Sequence, residues 1–218
     1  MKKLSLALVA FAAAAGAQAA TVEYQYGLPL ALTTTEITQT GQLGLFDGSL
    51  GTLTGATLEV FGAATFAFTG TNIAQQAQRA TLTSTTELFW SSDLAALNSF
   101  LMDSIAMSAT SGSLSYAVGE TKSFGPFAES GSNSDDLGAI LASLYGTGTF
   151  GLTCESSSGF TVTGGGGNIS TTQATEAGCG AKIVYTYDEP TNNVPEPGSL
   201  ALVGLALAGV GMARRRKA

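Results

Sequence analysis

The chain has 218 residues, with 9 Lys plus Arg against 16 Asp plus Glu, no histidine and two cysteines. The missing histidine removes the commonest general base and metal ligand, so Ser-His-Asp and Cys-His arrangements are excluded. Six of the nine bases sit in the terminal runs, leaving Arg79, Lys122 and Lys182 against 15 acids once Glu196 is set aside, a net of −12 for the body, which rules out nucleic-acid binding through clustered cations.

The first 19 residues have the parts of a signal peptide. Lys2 and Lys3 form a positive start, Leu4 to Ala15 an apolar run, and Ala17-Gln18-Ala19 an A-x-A site for signal peptidase. The mature chain is expected to begin at Ala20. The alternative is an N-terminal membrane anchor, for which the apolar run is short.

From Val22 the body, residues 20–188, reads as β. Val22-Glu23-Tyr24-Gln25-Tyr26 alternates with period two, and Phe66 and Phe68 share one face of a further strand between Ala56 and Phe68. Asp47-Gly48 is a turn signal. Ala77 to Trp90 is a strand region with Leu82, Leu88 and Phe89 as candidate core residues. Trp90, the single tryptophan, reads as a core aromatic before it reads as a ligand platform.

Two stretches carry helical spacing. Leu94, Leu97, Leu101 and Ile105 recur every three or four residues between Asp93 and Met107, with Ser91 or Ser92 as the cap. Ser134 precedes Asp135 and Asp136, whose charge suits a helix N-terminus. Leu137, Ile140, Leu141, Leu144 and Tyr145 then form a stripe that stops at Gly146. Between them, Gly112 to Phe127 reads as a strand pair around Gly119-Glu120.

After Gly146 alternation returns through Thr149-Phe150-Gly151-Leu152-Thr153 and a short Phe160–Thr163 segment. Gly164 to Gly167 is a flexible corner, without the lysine and helix start of a phosphate loop. Lys182 to Tyr187 is the clearest strand, and residues 189–194 are a linker. The fold class expected is a mainly β, antiparallel sandwich-like single domain with one or two short helices. Cys154 and Cys179 would close a disulfide loop in an exported, oxidised chain; two free thiols are the alternative.

The tail, residues 195–218, has three parts in fixed order. Pro195-Glu196-Pro197 cannot enter a helix interior or central strand, so it is an exposed joint. Leu200 to Ala213 carries no charge. Arg214, Arg215, Arg216 and Lys217 form a basic stop that stays cytoplasmic. A helix of this length, about 21–24 Å, is short for a permanent span. Composition leaves two readings open, a short anchor that stays and a disposable sorting tail.

Val194-Pro195-Glu196-Pro197, the apolar segment and the arginine cluster resemble the PEP-CTERM sorting signal of Gram-negative bacteria. The resemblance implies recognition by an exosortase, cleavage at the motif and delivery to the envelope or extracellular polymer. Contact with the membrane would run only through the C-terminal helix before cleavage. A second resemblance covers the body. Thr33-Thr34-Thr35, Phe46-Asp47, Leu50-Gly51-Thr52-Leu53, Phe124-Gly125-Pro126-Phe127, Gly146–Phe150, Gly167–Thr172 and Val184–Tyr187 follow in the order seen in the choice-of-anchor E domain, a bacterial surface domain. The two cysteines and the longer stretch near Leu94–Met107 depart from that pattern. It implies an extracellular β-rich domain and brings no catalytic residue.

No catalytic residue, cofactor or metal is expected. Glu87 with Asp93 is the pair to consider for glycoside hydrolysis, which needs two carboxyls about 5–10 Å apart. Asp135-Asp136 with Glu129 and Asn133 could face calcium, but lacks an EF-hand pattern. Asn168-Ile169-Ser170 reads as an ordinary turn before it reads as a glycosylation triplet. The expected function is a structural or adhesive protein of extracellular polysaccharide, matrix or biofilm. The alternatives are a glycan- or calcium-binding surface module, with Trp90 and tyrosines as platforms, and, behind it, a polysaccharide-active enzyme.

Overall fold

Threonines and β-branched residues at alternating positions favour pleated, half-buried strands, and the described residues build little else. The computed structural model describes residues 19–190 and, in the tail, Gly204 alone. Its strands are β1 (Ala20–Tyr26), β2 (Thr33–Thr34), β3 (Thr38–Gly44), β4 (Thr52–Asn72), β5 (Gln78–Ser92), β6 (Ile105–Tyr116), β7 (Thr121–Asp136), β8 (Thr149–Gly164) and β9 (Ile169–Asp188). The first sheet runs β1-β9-β4-β7, with β2 also on β9; the second runs β3-β8-β5-β6. Every pairing between these strands is antiparallel.

The sheets face one another across a single core. Even-numbered residues of β4 from Ala56 to Phe68 turn inward, as do Ala177, Cys179, Ala181, Ile183 and Tyr185 of β9. From the second sheet they meet Leu82, Leu88 and Trp90 of β5 with Phe150, Leu152 and Cys154 of β8. Most consecutive strands change sheets rather than fold back, so the sandwich is closed by arches. β5 and β6 are the one consecutive pair that hydrogen-bond to each other. On one side β1 closes the gap, its Tyr24 and Tyr26 rings lying over Gly44 and Gly41 of β3, where any Cβ would overlap them.

The disulfide is present between Cys154 and Cys179, 25 residues apart, and it joins β8 to β9 across the core. Its neighbours in register are Trp90 on β5 and Gly62 on β4, so it ties the middle of one sheet to the middle of the other.

Both expected helices are corrected. Between Asp93 and Met107 the structure has one 3₁₀ turn, Ala95–Leu97, and Ile105 already opens β6. Polar groups win locally. The Asn98 side chain accepts from Ser92 N–H at 2.8 Å and donates to Ser92 O at 3.0 Å, pinning a turn rather than a helix. In the second case β7 runs on to Asp136 as the partner of β4, with Asp136 opposite Thr57. Asp136 Oδ1 then accepts from Gly138 N–H at 2.8 Å, ahead of a kinked 3₁₀ segment, Gly138–Leu144. The leucines behave as expected even so: Leu97, Leu137 and Leu144 are fully buried. Phe89 is also corrected. It alternates with Leu88 and Trp90, so it faces outward and is 44% exposed.

Candidate functional site

Strand register fixes which end of the sandwich carries the tail. Ala20 pairs with Tyr187, and Thr52 pairs with Asp188. The first residue of β1 and the last residues of β9 therefore lie side by side at one pole. The segments 45–51, 93–104 and 137–148 belong to the same pole. The opposite pole is made by the arches 73–77, 117–120 and 165–168.

The tail pole is plugged by apolar side chains. Phe46 is fully buried, with Tyr145, Tyr185 and Tyr187 rings at 5.4, 5.7 and 5.3 Å. Phe46 N–H donates to Leu144 O at 2.8 Å, and Gly146 N–H donates to Phe46 O at 3.0 Å, so two loops are laced together. Tyr145 is half exposed, and its hydroxyl accepts from Leu53 N–H at 2.9 Å. Asp47 accepts from Ser49 N–H at 2.9 Å, and that backbone bond lowers its pKa. The Asp47-Gly48 turn is as the sequence suggests.

The same pole is acidic. Asp47, Asp93, Asp103, Asp135, Asp136, Asp188 and Glu189 lie in its loops and strand ends, and segments 45–51, 93–104 and 137–148 contain no lysine or arginine. Burial, with Asp103 beside it, raises the pKa of Asp135.

The arch pole is held by polar groups. Asn72 is buried, and its amide donates to Gln76 O, Tyr116 O and Ala117 O at 2.8, 3.2 and 3.0 Å. Its Oδ1 accepts from Ala74 N–H at 2.9 Å. Gly164 to Gly167 make the last arch with φ of 89°, 68°, 54° and 77°. That left-handed run is open to glycine at little cost and to other residues only with strain. Ile73 and Val118 stand exposed at this pole.

The residues singled out from sequence fare differently. Ala19 is described and exposed. Ala17, Pro195, Glu196, Pro197, Arg214, Arg215, Arg216 and Lys217 lie outside the described residues. Trp90 is 6% exposed and faces the core, so it is no ligand platform. Tyr116 and Tyr185 are fully buried and Tyr187 is 9% exposed, which removes these three from that role too. Glu87 and Asp93 are not brought together. They stand six positions apart on nearly extended chain, about 20 Å. Glu87 accepts from Ser104 Oγ, while Asp93 Oδ1 accepts from Gly151 N–H at 2.8 Å. Asp135 and Asp136 end a strand, and among the described residues no group of three or more Cys, Asp or Glu side chains is placed to hold a metal. Asn168 caps the glycine arch, its amide on Gly166 O at 3.2 Å.

The feature that sequence reasoning missed is the saddle on the outside of the second sheet. Residues 85–87 of β5, 106–108 of β6 and 157–159 of β8 line a shallow concavity of about 490 Å³. Small residues on three adjacent strands were the available signal. It needs the strand order to be seen, because β8 and β5 are far apart in the chain.

Comparison with known proteins adds one finding about the tail. Two solved structures, of the Gx and Gt strains of infectious bursal disease virus, align over 88% of this chain and 47% and 45% of theirs, at 12% identity and a TM-score of 0.16. The chain thus spans about half the length of those proteins, and likeness at that score carries no argument. No curated protein matches the chain. A family model described as the PEP-CTERM protein-sorting motif matches residues 193–217. The end of this chain is therefore a sorting signal, which marks the protein for export and processing at the membrane and places it at the cell surface or outside the cell.

Proposed function

We propose that this protein is a structural or adhesive component of extracellular polymer or biofilm, released to it by exosortase cleavage near Pro195-Glu196-Pro197. The observation that carries the reading is the sorting motif joined to the pole that holds it. β9 ends at Asp188, and Ala20 begins β1 beside it. A signal peptide cut after Ala19 and a tail running to the membrane would both leave from this one pole. The body can then fold while either end is still membrane-bound. Its acidic loops are repelled by anionic lipid headgroups, which favours a body standing off the membrane surface.

The body supplies a rigid, disulfide-tied sandwich with hydroxyl-rich outer faces. The likeness of its ordered sequence strings to the choice-of-anchor E domain accords with a β-rich surface role. We read it as non-enzymatic. The one acid pair considered from sequence is split, and screening the purified protein for polysaccharide hydrolysis tests that reading. The host is read as a Gram-negative bacterium from the motif's resemblance alone.

The direct test is a stop codon at Pro195 in the native host. The truncated protein should disappear from the surface and matrix fractions and collect in the periplasm. An unchanged distribution between fractions would remove the proposal.

A further inference from the structure

We propose that the outer face of the second sheet, centred on Glu87, binds a polysaccharide that bears amino groups. The proposal rests on the reading of the protein as one displayed in extracellular polymer, and it names the polymer's chemistry.

The surface is built by three strands. Register places Ala106 and Ser157 on either side of Glu87, and Ser108 and Gly159 on either side of Thr85. All of these side chains are small except the glutamate. They leave a saddle of about 490 Å³ with hydroxyls along its floor. A Cβ on Gly159 would stand 2.8 Å from Thr85 Oγ1, so the glycine keeps that part open.

Glu87 is held rather than loose. Ser104 Oγ donates to its Oε1, and this is its one hydrogen bond among the described residues. Two residues along the same face stands Phe89, exposed where its neighbours Leu88 and Trp90 are buried. Opposite Phe89 on β8 is Glu155. A carboxylate, an aromatic ring and a second carboxylate thus lie on one open face, with i and i+2 residues about 7 Å apart. A sugar ring can lie on Phe89, and an ammonium group on that sugar is attracted by the ring face and by both carboxylates.

Charge selects the class of polymer. The body carries 3 bases and 15 acids. Lys122 is paired with Glu120 at 3.1 Å, and Lys182 with Glu59 at 3.3 Å. Arg79 Nε donates to Ser113 Oγ at 2.9 Å, eight residues from Glu87 on β5. An anionic polymer therefore finds no cation at the saddle. A neutral one finds hydroxyls and one ring. An amino-bearing one uses every feature of the face.

The test is equilibrium binding of the processed protein, purified from its host, to glucosamine oligomers, dextran oligomers and alginate oligomers at about pH 5.5, where carboxylates and the sugar amine are both charged. Saturable binding is expected for the glucosamine oligomers, with dextran at least about tenfold weaker and alginate without signal. Phe89→Ala, and Glu87→Gln with Glu155→Gln, should each weaken binding about tenfold or more. Gly159→Val, which fills the saddle without changing charge, should do the same. Glu23→Gln removes an exposed charge from β1 on the other sheet and should leave affinity unchanged. No binding to glucosamine oligomers would overturn the proposal. So would equal binding to dextran, because the amino group would then contribute nothing, or a loss in Glu23→Gln as large as in the paired Glu87→Gln and Glu155→Gln variant, because overall charge would then explain the result. Surface display is read separately by cell fractionation, so failure of this site and failure of the display reading give different outcomes.

Discussion

Two poles close the same sandwich by different means. At the tail pole, loops turn leucine and aromatic side chains inward, and Phe46, Leu97, Leu137 and Leu144 are fully buried. At the arch pole one asparagine amide gathers three carbonyls, and four glycines in the left-handed region make the last crossing. The first is held by burial, which tolerates sequence change of similar volume. The second is held by particular donors and particular φ angles, which do not. The apolar plug lies at the end where Ala20 and Asp188 stand side by side.

The disulfide between the poles gives the largest expected effect. Changing both Cys154 and Cys179 to alanine should lower stability by about 3–4 kcal/mol, from the entropy of an opened loop of 25 residues, read by urea denaturation. A loss under about 1 kcal/mol would mean the two sheets hold each other without the bridge. Next comes the plug. Leu144→Ala should cost about 3 kcal/mol through lost burial and a cavity. At the other pole, Asn72→Ala should cost about 2 kcal/mol, because buried Tyr116 O and its neighbours lose a donor. The contrast sharpens with size-conserving changes. Leu144→Met should recover most of the stability, and Asn72→Leu should recover little. If both recover alike, the two poles do not differ in kind.

The smallest effect is electrostatic. Asp135 at the tail pole has a raised pKa from burial and from Asp103. An acid whose folded pKa is raised destabilises the fold when ionised, and that penalty disappears as pH falls below its unfolded value. Asp135→Asn should therefore stabilise by at most about 0.5 kcal/mol near neutrality, since the group is only partly buried and solvent screens it. The gain should vanish in acid, as thermal melting at two pH values would show.

Much of the fold was legible because period two is a strong signal where one face is buried. Val22–Tyr26 and Lys182–Tyr187 could be read directly, and so could Phe66 with Phe68. The helices were misread because a leucine at every third or fourth position also suits a loop folded over the end of a sandwich. Spacing reports burial, and the leucines between Leu94 and Ile105 and between Leu137 and Leu144 are indeed largely inside. It does not report conformation when Asn98, Ser92 and Asp136 offer hydrogen bonds that stop the turn early. Phe89 was misplaced by treating two adjacent apolar residues as one core face, which a strand cannot do. The sorting motif was legible as a resemblance, since its three parts are contiguous. The saddle was not, since it joins residues about 20 to 70 positions apart in the chain.

The account's central claim is that the tail is a routing signal cut away at the tail pole. The measurement that tests it most directly is the intact mass of the protein recovered from its native host. The account predicts a mass running from Ala20 to a cut within Pro195–Pro197, with any group added there. A mass extending to Ala218 would contradict it and make the protein a tethered domain that keeps its anchor.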